Sequence, residues 1–195
     1  MCLTLLVIGH QKSRRLPSLS SAPSTWRYHM IKPLDLHDQR HLEAAEGWIE
    51  LGNHLEANEE LEQITPELRG HPDVLEIRWQ IYAKAKKWDA ALDLASALIQ
   101  LVPELPLGWV HRSYCLHELK RSEEARDNLL RVVDKFPEDP IMRYNLAWYE
   151  CQLGRLEQAR NWLEKAFDLG HSRKIKWMAL EDPDLEPLWR KIGET

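Results

Sequence analysis

The residues best suited to chemistry in this chain are His111, His117 and Cys151, imidazole and thiol groups of the kind that hold zinc or another transition metal. Two histidines six positions apart do not share one helix face, and no neighbouring carboxylate is placed to orient either ring. His37 and His41, four apart, are expected to be solvated helix residues. Cys2, Cys115 and Cys151 are an odd set with no close pair, which suggests neither a disulfide framework nor a zinc knuckle and points to a reducing, cytoplasmic setting. There is no glycine-rich phosphate loop, no nucleophile elbow and no paired metal motif. The expectation is therefore a non-catalytic protein with no cofactor. A metal-binding or enzymatic protein using His111, His117 and Cys151 is the rival reading.

The elements that position these groups follow from a period. Ala57, Ala91, Ala125 and Ala159 are 34 residues apart at each step, and Pro72, Pro106 and Pro140 keep the same step. A fixed period of this length means one small supersecondary unit copied along the chain, each copy burying its apolar face against its neighbours. Proline suits the first position of a helix, so each proline of the series predicts a helix start. From Pro140, the residues Ile141, Tyr144, Ala147, Trp148 and Cys151 recur at helical spacing, and Gly154 supplies the break. Leu156, Ala159, Trp162, Leu163, Ala166 and Phe167 predict a second helix as far as Gly170. A turn this short makes the two helices antiparallel neighbours. Four and seven positions after the alanines, the register places Leu61, Ala95, Leu129 and Leu163, then Ile64, Leu98, Val132 and Ala166, all apolar as a shared core stripe requires.

On these residues the chain resembles the tetratricopeptide repeat (TPR) family, whose 34-residue unit is two antiparallel helices. Trp109, Ala125, Leu129, Val132 and Pro137 occupy the signature places of one copy, and Leu146, Ala147, Gly154, Ala159, Leu163 and Ala166 those of the next. Tyr82, Trp88, Ala91, Leu98 and Pro103 do so in the copy before, and Leu51, Gly52, Ala57 and Leu61 in the first. In the first copy Pro66 arrives early and Arg69 replaces the closing proline, so its second helix should be shorter than the others. Trp79 stands where the family prefers a small residue, and Arg78 and Arg112 where it prefers leucine. The resemblance implies an all-α, right-handed superhelical solenoid of antiparallel hairpins over residues 35–173, with copies at 38–71, 72–105, 106–139 and 140–173.

It also implies a concave groove lined by the first helix of each hairpin. Copy two would contribute Asp73, Glu76, Ile77 and Gln80. Copy three would contribute Leu107, Val110, His111, Tyr114 and His117, and copy four Ile141, Tyr144, Asn145, Trp148 and Gln152. Such a groove begins acidic and ends aromatic, a setting for an extended or helical peptide with large apolar anchors. The family's carboxylate-gripping groove needs lysines and arginines that these positions lack, and only Asn145 fits it. A protein or peptide partner is expected, with self-association or assembly into a larger complex as the other reading.

The rest of the composition sets limits. No apolar run approaches the roughly 20 residues of a membrane span, so no membrane partner is expected. The formal net charge is −5. Lys12, Arg14, Arg15, Arg27 and Lys32 precede the first acidic residue, Asp35, and leave 21 basic against 31 acidic residues, about −10, in the remainder. An acidic body argues against nucleic acid. Residues 1–34 read as a leader outside the array, either a disordered tail or a stretch ahead of a true start at Met30. Their basic, serine-containing composition also matches an organelle transit peptide. Residues 174–195 read as capping helices, Lys174 to Leu180 and Leu185 to Ile192, with Trp177, Met178, Leu180, Leu185, Leu188 and Trp189 covering the last apolar face.

Overall fold

In a computed structural model, residues 31–169 and 172–189 are described. The leader as far as Met30, its expected lack of order and the end of the second capping helix lie outside them. Nine α-helices and three short 3₁₀ helices make up the described chain, with no strand among the described residues. Pro72, Pro106 and Pro140 each stand at the first position of a helix. Ala57, Ala91, Ala125 and Ala159 are all completely buried. The chain divides into two compact units, one ending at Gly108 and the other beginning at Trp109.

The first unit holds α1 (Leu36–Glu50), α2 (His54–Gln63), a 3₁₀ turn (Pro66–Leu68), α3 (Pro72–Lys84), α4 (Trp88–Leu101) and the opening turn of α5 (Pro106–Glu118). Its core joins Leu42, Ala45 and Ile49 of α1, Ala57 and Leu61 of α2, Ile64, and Val74, Ile77 and Ile81 of α3. Asp38 is buried, and its Oδ1 accepts the Thr65 backbone N–H at 2.8 Å, which fixes the chain leaving α2. That bond holds the Asp38 carboxyl below its ordinary pKa. Arg78, where leucine was expected, donates to Glu62 Oε1 at 2.9 Å and so joins α3 to α2. Gly108 is required by a close approach, because a Cβ there would stand 3.0 Å from the Ile99 backbone nitrogen.

The second unit holds the remainder of α5, α6 (Ser122–Leu130), a 3₁₀ turn (Val133–Lys135), α7 (Pro140–Gln152), α8 (Leu156–Asp168), α9 (Ser172–Glu181) and a 3₁₀ segment (Pro183–Leu188). Arg112, the other arginine in a leucine place, donates to Asn128 Oδ1 at 3.4 Å, while Asn128 Nδ2 donates to the Trp109 carbonyl at 2.8 Å. The first copy's second helix is not the shortest: α2 has ten residues and α6 nine. Consecutive residues on an α-helix point about 100° apart, and winding into a 3₁₀ turn lets the neighbouring β-branched Val132 and Val133 both enter the core.

The capping segment also differs from expectation. Ile175 and Ala179, one helical turn apart, face inward and are buried with Leu185 and Leu188. Trp177 lies two positions from Ile175, points the other way and is 60% exposed, and Leu180 is exposed as well. The second capping element starts at Pro183 and winds as 3₁₀, with Pro187 inside it.

The period is also written in the turns. Gly52, Lys86, Lys120 and Gly154, 34 residues apart, all have positive φ, at 80°, 55°, 64° and 75°. The next residue closes each turn: Asn53 N–H donates to Trp48 O, Lys87 to Tyr82 O, Arg121 to Leu116 O and Arg155 to Glu150 O, all at 2.8–2.9 Å. With the bond from the preceding N–H to the carbonyl three residues back, this is a Schellman C-cap four times over. Two lysines thus sit in a left-handed conformation that disfavours a Cβ. Lys86→Gly and Lys120→Gly are each expected to raise stability by up to about 1 kcal/mol, the relief being partly offset by glycine's larger unfolded-state entropy. Thermal unfolding checks this, and an unchanged or lower Tm would show that no strain is stored at these lysines.

Candidate functional site

The predicted guest-binding residues fall into two settings. In the second unit they lie on α7 and α5. Tyr144, Trp148 and Gln152 follow one another at intervals of four along α7, so their side chains form a single stripe about 12 Å long. Each of them grips the chain's own C-terminal segment. Tyr144 O–H donates to Asp182 Oδ2 at 2.9 Å, Trp148 Nε1–H to Asp184 Oδ2 at 3.2 Å, and Gln152 Nε2–H to the Asp184 carbonyl at 3.0 Å. The segment supports its own shape, since Asp182 Oδ1 accepts the Asp184 backbone N–H at 3.1 Å and Pro183 opens the 3₁₀ turn. Leu185 is completely buried beside it.

The expected open aromatic end is therefore closed. Tyr144, Asn145, Trp148, His111 and Tyr114 are all buried, whereas His117 is half-buried and Gln152 exposed. Trp148 stacks on Tyr114 with ring centroids 6.3 Å apart and lies 4.1 Å from the His117 ring. Burial and the nearby Lys120 charge hold the His117 imidazole down to about 4, although Asp184 pulls it up. His117 is thus neutral at pH 7, and its Nδ1 lies 3.0 Å from the Ser122 hydroxyl. Asn145 stands apart, because both polar atoms of its buried carboxamide lack a hydrogen-bond partner among the described residues.

Asp182 and Asp184 are held by neutral donors, and neither is ion-paired among the described residues. Burial pushes the Asp182 carboxyl above its ordinary pKa, with the Tyr144 hydroxyl working in the opposite direction. Sequence reasoning placed Tyr144, Trp148 and Gln152 on one face but did not find Asp182 and Asp184. The only signal was the local pattern Asp-Pro-Asp-Leu, an acidic turn followed by an apolar anchor.

In the first unit, Asp73, Glu76 and Gln80 lie together on α3 and are half-buried. Glu76 and Gln80 stand two periods before Tyr144 and Trp148, in the same register. Burial lifts the Glu76 carboxyl to about 7, helped by the charges of Asp73 and of Glu46 on α1, while the Gln80 side chain opposes the rise. Glu46 and Asp73 are raised as well, each chiefly by burial. The face concentrates negative charge that lacks a facing lysine or arginine among the described residues.

The rival chemistry finds no geometry. His111 is enclosed, and burial depresses its pKa to about 3. Burial raises the Cys151 thiol, which makes it a poor nucleophile. Cys115 and Cys151 are both buried. Among the described residues, the one group of ligand types with atoms within 4.8 Å of one another is Asp35, His37 and Asp38, not His111, His117 and Cys151. Asp35 and Asp38 already accept backbone N–H groups there, from Asp38 and Thr65. His41 is not simply solvated, since its Nδ1 lies 2.7 Å from Glu60 Oε2 of α2. No helix among the described residues is long and apolar enough to cross a membrane.

The tetratricopeptide repeat sequence family matches residues 116–170. No curated protein matches the chain. Among solved structures, MamA from Desulfovibrio magneticus RS-1, from its residue 41 to the end, is similar at 18% identity and a TM-score of 0.61, over 83% of this chain and 96% of that one. A double mutant of the RS-1 protein is similar at 17% identity, a TM-score of 0.60 and the same coverage. MamA AMB-1 in crystal form P2₁2₁2₁ is similar at 21% identity and 0.54, over 69% of this chain and 73% of that one. The family match on residues 116–170, the helical fold shared with these structures and the 34-residue turn motif together support a tetratricopeptide repeat reading of the chain.

Proposed function

We propose that the chain is a non-catalytic, cytoplasmic interaction scaffold that binds a peptide or protein segment along the faces carrying Asp73, Glu76 and Gln80 in the first unit and Tyr144, Trp148 and Gln152 in the second. The observation that carries this reading is the grip of α7 on residues 182–185, where side chains at the expected guest positions hold a short stretch of peptide by its carboxylates and a carbonyl. The same register on α3 presents Glu76 and Gln80, with Asp73 and Glu46 beside them. A guest there carries a lysine or arginine, whose charge would relieve carboxylates that burial and mutual repulsion hold above their ordinary pKa. Among the described residues, His111, His117 and Cys151 form no ligand cluster that would favour a reactive site over binding.

Selection of a peptide from a random library on the full chain, followed by fluorescence anisotropy, tests the reading. The selected sequences are expected to be basic. Asp73→Asn/Glu76→Gln is expected to weaken binding about tenfold or more, whereas Glu164→Gln, on the exposed face of α8, leaves it unchanged. Binding lost with Glu164→Gln and kept with the α3 variant would move the site to the second helices of the hairpins.

A further inference from the structure

We infer that the α7 face is a recognition site for an Asp-Pro-Asp-Leu-type segment of a partner protein, and that residues 182–185 of this chain are a resident competitor that closes it. The inference extends the peptide-binding reading above to a defined ligand chemistry.

Two features point to a ligand rather than to a plain cap. The contacts are specific in type: two carboxylates and one carbonyl each receive a hydrogen from a phenol, an indole and a carboxamide that recur every fourth residue of one helix. A plain apolar cap would need only Leu185 and Leu188, which are buried here in any case. The bound shape is also portable. The Asp182 side chain closes on the Asp184 N–H, and Pro183 fixes its own φ, so an Asp-Pro-Asp sequence makes this turn locally, with little ordering left for the moment of binding.

Selectivity would come from hydrogen-bond geometry. Without a facing lysine or arginine among the described residues, an anionic segment gains little from general attraction to this acidic chain, and only a segment that places two aspartates on the phenol and the indole is held. The tether gives the resident segment an effective concentration of about millimolar, so a partner segment alone competes poorly until the strap is loosened.

The test uses the full chain. Asp182→Ala/Leu185→Ala removes the phenol's acceptor and the buried anchor from the strap. A labelled peptide of the sequence of residues 181–189 is then titrated by fluorescence anisotropy, with helix content followed by circular dichroism and mass by light scattering. The variant is expected to bind the peptide at least about tenfold more tightly than the wild type, and Tyr144→Phe added to the variant to reverse most of the gain. A helical variant that does not bind the peptide overturns the inference, and continued binding of the basic library peptide in the same sample would show that the scaffold reading stands without it. A variant that binds the peptide only as a stable dimer would overturn the partner assignment, since the strap would then be exchanged between copies. In case the double variant does not fold, Tyr144→Phe alone is examined by hydrogen exchange. Residues 183–188 are expected to exchange several-fold faster with the α8 amides unchanged, and unaltered protection of 183–188 overturns the inference.

Discussion

Trp79→Ala is expected to lower the unfolding free energy by about 3–5 kcal/mol, a large share of the roughly 5–15 kcal/mol typical of a folded domain. Trp79 is completely buried on α3, and the positions one period before it and one and two periods after it are Ala45, Ser113 and Ala147, each completely buried too. Small residues at this register let helices approach closely, and at copy two an indole fills the place instead. The family's preference for a small side chain might suggest that alanine is harmless there. The close packing of protein interiors argues the opposite, because neighbours arranged around an indole cannot collapse fully onto a methyl group. Urea unfolding of the wild type and variant decides the matter: a midpoint unchanged at equal slope would mean that the helices close up and that Trp79 is tolerated rather than required.

The second large effect is a loss of stability in acid that originates at His111. Burial depresses its imidazole pKa to about 3, against an ordinary value of 6.5. The unfolded chain therefore binds a proton below pH 6.5 that the folded chain refuses. The stabilisation is complete above pH 6.5 and is lost as pH falls towards 3, amounting to about 2 kcal/mol by pH 5 and on the order of 4–5 kcal/mol at pH 3. Glu76, raised to about 7, acts in the opposite sense, contributing stability as pH falls from 7 towards 4.5, and Asp139 and Asp182, both raised by burial, act in the same direction as Glu76. The wild-type curve sums these terms with the acid-side loss from His117, also held down to about 4, so the informative quantity is a difference in slope. His111→Gln is expected to lose about 2 kcal/mol less than the wild type between pH 7 and pH 5, whatever its stability at neutral pH. Parallel curves from thermal unfolding at several pH values would show that His111 does not titrate with folding.

What could be read from the chain in advance was whatever repeats. The alanine and proline series located the hairpins because burial and helix initiation each demand a residue type at a fixed place. The turns carry the same period, but Lys86 and Lys120 conceal it, since a left-handed conformation shows in composition only when glycine occupies it. Non-repeating contacts were the ones missed. Asp182 lies 38 residues from Tyr144, and no local spacing connects an aspartate in a terminal turn with a phenol on an earlier helix. His111 was placed on a binding face by register alone, which cannot distinguish a lining position from a covered one. Trp177 was turned inward for the same reason, although its distance of two residues from Ile175 already argued for the opposite face.

The neutral donors under Asp182 and Asp184 have a practical corollary. Dissolved electrolyte weakens attraction between opposite charges, with a screening length of about 10 Å at 0.1 M and 3 Å at 1 M, but it scarcely touches a dipole and a carboxylate oxygen in direct contact. Concentrated brine should therefore elute a lysine-bearing guest from the carboxylates of α3 while the terminal segment stays seated on α7, so the two faces respond to different solvents and can be emptied one at a time.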